Sequence, residues 1–324
     1  PDVCIWVSRK PKGQKVWTAP QLAADGVFRL GSSDALLAGV DSTTTSAEVG
    51  PVVSMKGKNL KRKACWNPVL YQMPDGTLYL FYKIGLNVKD WTGWYVSSTD
   101  NGKTWTERKP LPKGFLGPVK NKPELVGDQL ICPSSTESGG WRIHFEILDL
   151  KTKAWKYVGP IKSKLEIPSV DLLNPDAKKK DIICIQPSIL KHRDGRLQVL
   201  CRTRNGKLAT SWSNDNGNTW SDVELTELPN NNSGTDAVTL KDGRHVLVYN
   251  DFGILPGTSK GVRTPLSLAE SRDGVHWTKL MNLEDSPISQ YSYPSIIQGK
   301  NGNLHIVYTW RRQRVAYKEI DLSK

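Results

Sequence analysis

An eight-residue motif recurs along the chain and limits what it can fold into. The pattern S-x-D-x-G-x-T-W occurs at Ser98–Trp105 and again at Ser213–Trp220, and a form one residue shorter occurs at Ser271–Trp277. Two degenerate copies follow the same rhythm, at Ser8–Trp17 and Asp149–Trp155. Repeats at a regular period indicate an architecture built from one repeated supersecondary unit.

The chemistry of the motif explains its spacing. Each copy stands between two apolar, strand-like runs. The Asp carboxylate can accept backbone N–H groups and close a turn, the Gly supplies a positive φ, and the Trp can fill the space between neighbouring sheets. We interpret the motif as structural and assign it no catalytic role.

A second repeat precedes each motif. It begins with a polar residue that is usually followed by Pro. An apolar strand, a tight turn and an alternating strand come next, as at Asn67–Tyr82 and Gln186–Cys201. In four of five copies the turn is Asp-Gly or Asn-Gly, which is typical of a β-hairpin. With a period of roughly 50 to 65 residues, the unit matches a four-stranded propeller blade.

These repeats predict an all-β fold, a six-bladed β-propeller with four-stranded antiparallel blades, as a single domain over residues 1–324. Five blades begin near residues 66, 121, 182, 235 and 292. The strand at Asp2–Ser8 is predicted to be the third strand of a sixth blade that is incomplete at the N-terminus. Residues 18–64 carry no blade pattern, and we predict an insertion loop there.

Aligning the blades predicts a functional site. The first strand of each blade lines the centre of a propeller, so the polar residue that opens it should lie on the rim of the central channel. These rim residues are Asn67, Lys122, Gln186, Asp236 and Tyr293. Four of them precede a Pro, which restricts the backbone that presents them.

Arginines near the same strand ends favour an anionic ligand. The chain has 45 Lys and Arg against 32 Asp and Glu, a net charge of +13, which favours anionic partners in general. Arginine binds carboxylates in a bidentate manner and stays charged. The candidates for a carboxylate clamp are Arg142, Arg202, Arg204, Arg263 and Arg311.

The chain resembles the Asp-box (BNR repeat) sialidase and neuraminidase-like superfamily, in particular its bacterial and plant sialidase-like branch. The resemblance rests on the turn motif and on Cys65–Pro68, Gln186–Ser188, Asn232–Val238 and Tyr291–Pro294, among other segments. It implies a glycosidase in which arginines bind the substrate carboxylate, a Tyr is the nucleophile, a Glu is its partner and an Asp is the acid/base. By position in the repeat, Arg202 and Arg263 match two of the arginines and Tyr293 matches the nucleophile.

One departure from the family pattern affects the chemistry. Gln186 stands where the resemblance implies the Glu, and an amide cannot serve as the base for a phenol whose ordinary pKa is about 10. Asp236 and Glu124 are the candidate replacement carboxylates.

Three functions therefore remain open. The first is a glycoside hydrolase, of exo-α-sialidase type, acting on a sialic-acid-like or uronate-containing glycan. The second is a polysaccharide lyase using Lys122, His144 or Tyr293 as base. The third is a carbohydrate-binding module without catalysis, which Gln186 favours.

Several other classes of partner are not expected. The histidines lack zinc-ligand spacing and the five cysteines lack a paired motif, so we expect no metal and no cofactor. We expect no nucleic-acid partner, because no basic stripe with interleaved aromatics is present, and no membrane partner, because no apolar run is long enough. The oligomeric state is left open, and a secreted or periplasmic location is slightly favoured over the cytoplasm.

Overall fold

The computed structural model describes residues 3–44, 59–166, 180–288 and 290–322. Strands predominate, and the helix α1 (Ser33–Leu37) is the single α-helix in these ranges. None of the described helical residues forms a segment with the length and apolarity that a bilayer crossing requires. The chain divides into two compact units, residues 1–122 and 123–324.

The first unit contains two strand pairs and one four-stranded antiparallel sheet. The pairs are β1 (Ile5–Val7) with β2 (Gln21–Ala24) and β3 (Val27–Arg29) with β4 (Leu60–Arg62). The sheet runs in chain order through β5 (Ala64–Gln72), β6 (Leu78–Gly85), β7 (Thr92–Ser98) and β8 (Lys109–Pro110). Phe28, Tyr82 and Trp94 are fully buried in the apolar core of this unit.

The second unit contains four more antiparallel sheets, in each of which strands adjacent in sequence are adjacent in space. The first comprises β9 (Glu124–Val126), β10 (Gln129–Thr136), β11 (Arg142–Asp149) and β12 (Trp155–Val158). A small pair follows, β13 (Leu165–Glu166) with β14 (Lys180–Asp181). The next sheet comprises β15 (Cys184–Lys191), β16 (Leu197–Thr203), β17 (Lys207–Ser213) and β18 (Glu224–Pro229). The last two comprise β19 (Asp236–Thr239), β20 (His245–Asn250), β21 (Leu266–Ser271) and β22 (Thr278–Glu284), then β23 (Tyr291–Gln298), β24 (Leu304–Trp310) and β25 (Arg314–Ile320).

The turn motif has the structure that its sequence predicts. In the copy between β17 and β18, Asp215 Oδ1 accepts the N–H of Thr219 at 2.8 Å, and Gly217 has φ +84°. The ring of Trp220 stacks on Phe145 of the neighbouring sheet, with centroids 4.0 Å apart. The role of the motif as a structural link between sheets is therefore confirmed.

The prediction of six blades is wrong for the described residues, which form five blade sheets, four of four strands and one of three. The strand β1 pairs with β2 in a two-stranded ribbon and does not join a four-stranded sheet. An apolar run followed by a turn motif specifies a strand but not its partner, and here the partner comes from the segment predicted to be an insertion. That segment also contains β3, α1 and β4, and its residues 45–58 lie outside the described ranges.

Candidate functional site

A β-bulge places the rim residue in three of the five blades. The pairing of β15 with β16 shifts between Ile185 and Ser188, and the equivalent shift occurs in β5 and in β23. The residue before Pro at each bulge has positive φ: 57° at Gln186, 52° at Tyr293 and 46° at Asn67. Non-glycine residues adopt this conformation at a cost of about 1 to 3 kcal/mol and concentrate at functional sites, and bulges re-aim side chains there.

Arg202 is the most connected side chain of the site. It lies at the end of β16, opposite Ile185. Its Nε donates to Asn232 Oδ1 at 3.0 Å and its Nη1 donates to Gln186 Oε1 at 3.4 Å, and the guanidinium also interacts electrostatically with the Tyr293 hydroxyl. Burial lowers the pKa of Arg202, and the nearby charge of Arg263 acts in the same direction.

Arg263 and Tyr293 form the other side of the site. The Arg263 guanidinium lies over the Tyr293 ring, 5.3 Å from its centroid, in cation–π geometry. Its Nη1 is buried and has no hydrogen-bond partner among the described residues. Tyr293 is 44% exposed, so a ligand could reach its hydroxyl from solvent.

A carboxylate that the sequence analysis did not single out also belongs to the site. Glu137 follows β10, and its Oε1 accepts a hydrogen bond from Gln186 Nε2 at 3.2 Å. Burial raises the pKa of Glu137, although Arg202, the Gln186 hydrogen bond and Arg204 oppose that rise. Trp141 lies in the same β10–β11 connection, with the guanidinium carbons of Arg202 and Arg204 5.1 and 4.1 Å from its ring centroid.

The loop between β20 and β21 is attached to the site through two asparagines. Asn231 Nδ2 donates to the carbonyl of Val262, and Gly261 donates its N–H to the carbonyl of Asn231 at 3.0 Å. Asn232 Nδ2 donates to the carbonyl of Ser259 at 2.9 Å while its Oδ1 accepts from Arg202. Asn232 therefore connects the loop directly to the central arginine.

Asp236 is placed differently from the other predicted catalytic residues. It is 1% exposed, and its carboxylate accepts the N–H of Ala237 at 2.9 Å, the Ser188 hydroxyl at 3.2 Å and the N–H of Ile296 at 2.9 Å. These contacts join the first strands of three successive sheets, β15, β19 and β23. The arrangement is that of a buried structural carboxylate.

Glu124 lies away from Arg202. Its carboxylate pairs with Lys191 at 2.9 Å. Lys191 is opposite Leu197, at the other end of the β15–β16 hairpin from the Ile185–Arg202 pair. Glu124 therefore lies at the opposite end of the β15–β16 hairpin from Arg202.

The remaining predicted residues occupy several places. Arg204 is exposed beside Trp141, and Arg142 adjoins Trp141 at the start of β11. Arg311 donates from Nη2 to the Ser286 hydroxyl at 3.2 Å. Asn67 and Lys122 belong to the first unit, where Asn67 occupies the bulge of β5.

His144, a candidate lyase base, lies inside β11 and not at a strand end. It is 3% exposed, and its Nε2 lies 3.0 Å from Glu146 Oε1. Burial and this carboxylate contact leave the imidazole poorly placed to reach a substrate from solvent.

Sequence reasoning thus identified Arg202, Arg204, Arg263, Gln186 and Tyr293, which the structure brings together within the second unit. It missed the roles of Glu137, Trp141 and Asn232. The signal for Glu137 was its position two residues beyond Ser135, at the end of a second strand. An acidic residue in a polar loop is common, so this signal was weak.

Comparison with solved structures shows the fold. NanB sialidase from Streptococcus pneumoniae superposes with a TM-score of 0.64 at 13% identity, over 99% of this chain and 64% of that protein. The intramolecular trans-sialidase from Ruminococcus gnavus superposes with a TM-score of 0.63 at 14% identity, over 98% and 87% of the two chains. The α-L-arabinanase from Penicillium chrysogenum superposes with a TM-score of 0.59 at 15% identity, over 100% and 87%.

The chain therefore has an all-β propeller fold with four-stranded antiparallel blades, and it spans a little under two thirds of the length of NanB. No curated protein matches it significantly in sequence. The family model for the BNR repeat-like domain matches residues 1–306. This match confirms the resemblance to BNR-repeat proteins inferred from the turn motifs, and the chain belongs to the BNR repeat-like domain family.

Proposed function

We propose that the chain is a glycoside hydrolase that binds and cleaves an acidic sugar, either sialic-acid-like or uronate-containing, at the site around Arg202. The observation that carries the proposal is the pair of arginines on Tyr293. Arg202 interacts electrostatically with its hydroxyl and Arg263 lies over its ring.

The charges of the site favour an anionic ligand. Arg202 and Arg204 lie near one described carboxylate, Glu137, and Arg263 adds a further cation beside Arg202. The buried Nη1 of Arg263 is a donor without a hydrogen-bond partner among the described residues. A ligand carboxylate would supply that partner, and a charge-assisted hydrogen bond of this kind contributes about 1.5 to 3 kcal/mol.

Tyr293 is the residue to which we assign contact with the reacting carbon. Its bulge and positive φ hold it at the strand end, and its ring is accessible. The Arg202 cation lies near the phenolic oxygen. Gln186 accepts from Arg202 and donates to Glu137, so it orients both charged groups without exchanging a proton itself.

The experiment is turnover of 4-methylumbelliferyl glycosides of N-acetylneuraminic acid and of glucuronic acid, with wild type beside Tyr293→Phe. We expect release of the fluorophore by wild type and a loss of at least 100-fold in Tyr293→Phe. The matched control is Tyr157→Phe in β12, a tyrosine of similar exposure at 42%, which should retain activity. Equal activity in wild type and Tyr293→Phe would contradict the role of Tyr293.

A second candidate is a carbohydrate-binding module without catalysis, and the amide of Gln186 is the observation that favours it. Binding of N-acetylneuraminic acid or glucuronic acid by calorimetry, unchanged in Tyr293→Phe and without turnover by either form, would support this candidate over the hydrolase. An unsaturated product absorbing in the ultraviolet would instead indicate a lyase.

A further inference from the structure

We propose that Glu137 is the proton-transfer carboxyl of this site, and that it takes up its proton when an anionic sugar binds Arg202 and Arg263. The inference rests on the proposed function, because it requires an anion at these arginines. It assigns proton transfer to a residue outside the repeated rim position.

The position of Glu137 supports this role. It lies in the β10–β11 connection and is half-buried, with its Oε1 3.2 Å from Gln186 Nε2. Gln186 Oε1 in turn lies 3.4 Å from Arg202 Nη1. The carboxyl is thus one side chain removed from the arginine that contacts Tyr293.

Among the described residues, the charged groups that act on Glu137 are Arg202 and Arg204. Arg202 is at the end of β16 and Arg204 follows it, while Gln186 on β15 contributes a neutral amide. Arg263 and Tyr293 adjoin Arg202 on its other side. The two cations therefore stabilise the ionised form of Glu137, whereas burial destabilises it.

Binding of an anion changes this balance. A substrate carboxylate on Arg202 and Arg263 cancels part of the positive field at Glu137, and closure of the site by the ligand adds burial. Both effects favour the neutral acid, so the protein should take up a proton as the anion binds. The ligand then meets a carboxylic acid that is ready to donate.

Glu137 donates one proton and regains one proton in each reaction cycle. Glu137 donates its proton to the glycosidic oxygen as the bond from that oxygen to the anomeric carbon breaks, with the electron pair going to the oxygen. The oxygen of a water molecule then bonds to the anomeric carbon, and the proton it releases returns to Glu137. The products are the free acidic sugar and the alcohol, and Glu137 ends in its starting state.

The test is isothermal titration calorimetry at pH 6 in buffers of different ionisation enthalpy, with N-acetylneuraminic acid and glucuronic acid as the two probes. The dependence of the observed enthalpy on the buffer gives the number of protons taken up. We expect net proton uptake by wild type on binding. Binding without proton uptake would overturn the inference and leave the proposed function standing.

Two variants test whether Glu137 is the group that takes up the proton. Glu137→Gln should bind the probe and lose the uptake, and it should lose turnover of the methylumbelliferyl glycosides by at least 100-fold. Glu224→Gln in β18 removes a surface carboxylate paired with Lys164 and should behave as wild type. Uptake that persists in Glu137→Gln would assign the proton to another group and overturn the inference, whereas no binding of either probe would contradict the proposed function itself.

Discussion

The Arg263 guanidinium covers the Tyr293 ring at 5.3 Å, while its Nη1 is buried without a hydrogen-bond partner among the described residues. One guanidinium therefore does two things at once. It lies over the ring in cation–π geometry and leaves a buried donor, unpaired among the described residues, that a ligand could satisfy. A buried donor without a partner costs about 1 to 3 kcal/mol, which the folded chain carries before any ligand binds.

Arg263→Ala is expected to weaken binding of an acidic sugar. Loss of a charge-assisted contact of about 1.5 to 3 kcal/mol corresponds to roughly a 10- to 150-fold rise in Kd. Calorimetric titration with N-acetylneuraminic acid or glucuronic acid measures it. Arg272→Ala, at an exposed position in a turn motif, is the control and should leave Kd unchanged. Equal affinity in Arg263→Ala and wild type would show that this guanidinium does not contact the ligand.

Asn232→Ala is expected to change both the orientation of Arg202 and the attachment of the β20–β21 loop. The substitution removes the acceptor for Arg202 Nε and the donor to the Ser259 carbonyl. We expect KM to rise about 10-fold with a smaller change in kcat, because Arg202 loses its orientation but keeps its charge.

Hydrogen exchange should also accelerate in residues 253–262 of Asn232→Ala, since the loop loses an attachment. Thr258→Ala changes a contact internal to the loop and serves as the control for loop stability alone. Unchanged exchange together with unchanged KM would mean that Asn232 does not connect the loop to the site.

Asp236→Asn tests whether this carboxylate is structural. One carboxylate oxygen would become an NH₂ group facing donors that it can no longer accept from, so we expect the free energy of unfolding to fall by about 1 to 3 kcal/mol. Thermal and urea unfolding measure this. A variant with wild-type stability and no turnover would instead place Asp236 in the chemistry.

His245 makes stability depend on pH. Its Nε2 lies 3.3 Å from His192 Nδ1, and His192 Nε2 lies 3.0 Å from Gln198 Oε1. Since the Gln198 oxygen only accepts, His192 donates from Nε2 and accepts at Nδ1, so His245 donates from its Nε2. The pair is therefore satisfied in its neutral form.

Burial lowers the pKa of His245 to about 4, and His192 acts in the same direction. The folded-state pKa is below the unfolded value of about 6.5, so the stabilisation is present above pH 6.5 and is lost as the pH falls towards 4. We expect a loss of about 2 to 3 kcal/mol between pH 7 and 4.5 from this residue.

Urea unfolding of wild type and His245→Gln at the two pH values measures that loss, which should be smaller in the variant. His276→Gln, an exposed histidine, should follow wild type. The same pH dependence in wild type and His245→Gln would show that His245 does not carry the effect.

The sequence alone determined the features that depend on neighbouring residues. The turn at Asp215–Trp220, the Asp-Gly hairpins and the alternating strands are local, because turn chemistry and side-chain period act within a few residues. Equivalent positions in a repeat lie at equivalent places in space, so alignment of the repeats also found Gln186, Arg202 and Tyr293.

Tertiary structure alone decided the features that depend on contacts distant in sequence. The pairing of β1 with β2 reduced the predicted six blades to five, because a strand pattern does not encode its partner. Asp236 became a buried link through Ser188 and Ile296, 48 and 60 residues away. Glu137 accepts a hydrogen bond from Gln186, which is 49 residues away in sequence. Burial, which only the packed sheets create, raises the pKa of Glu137.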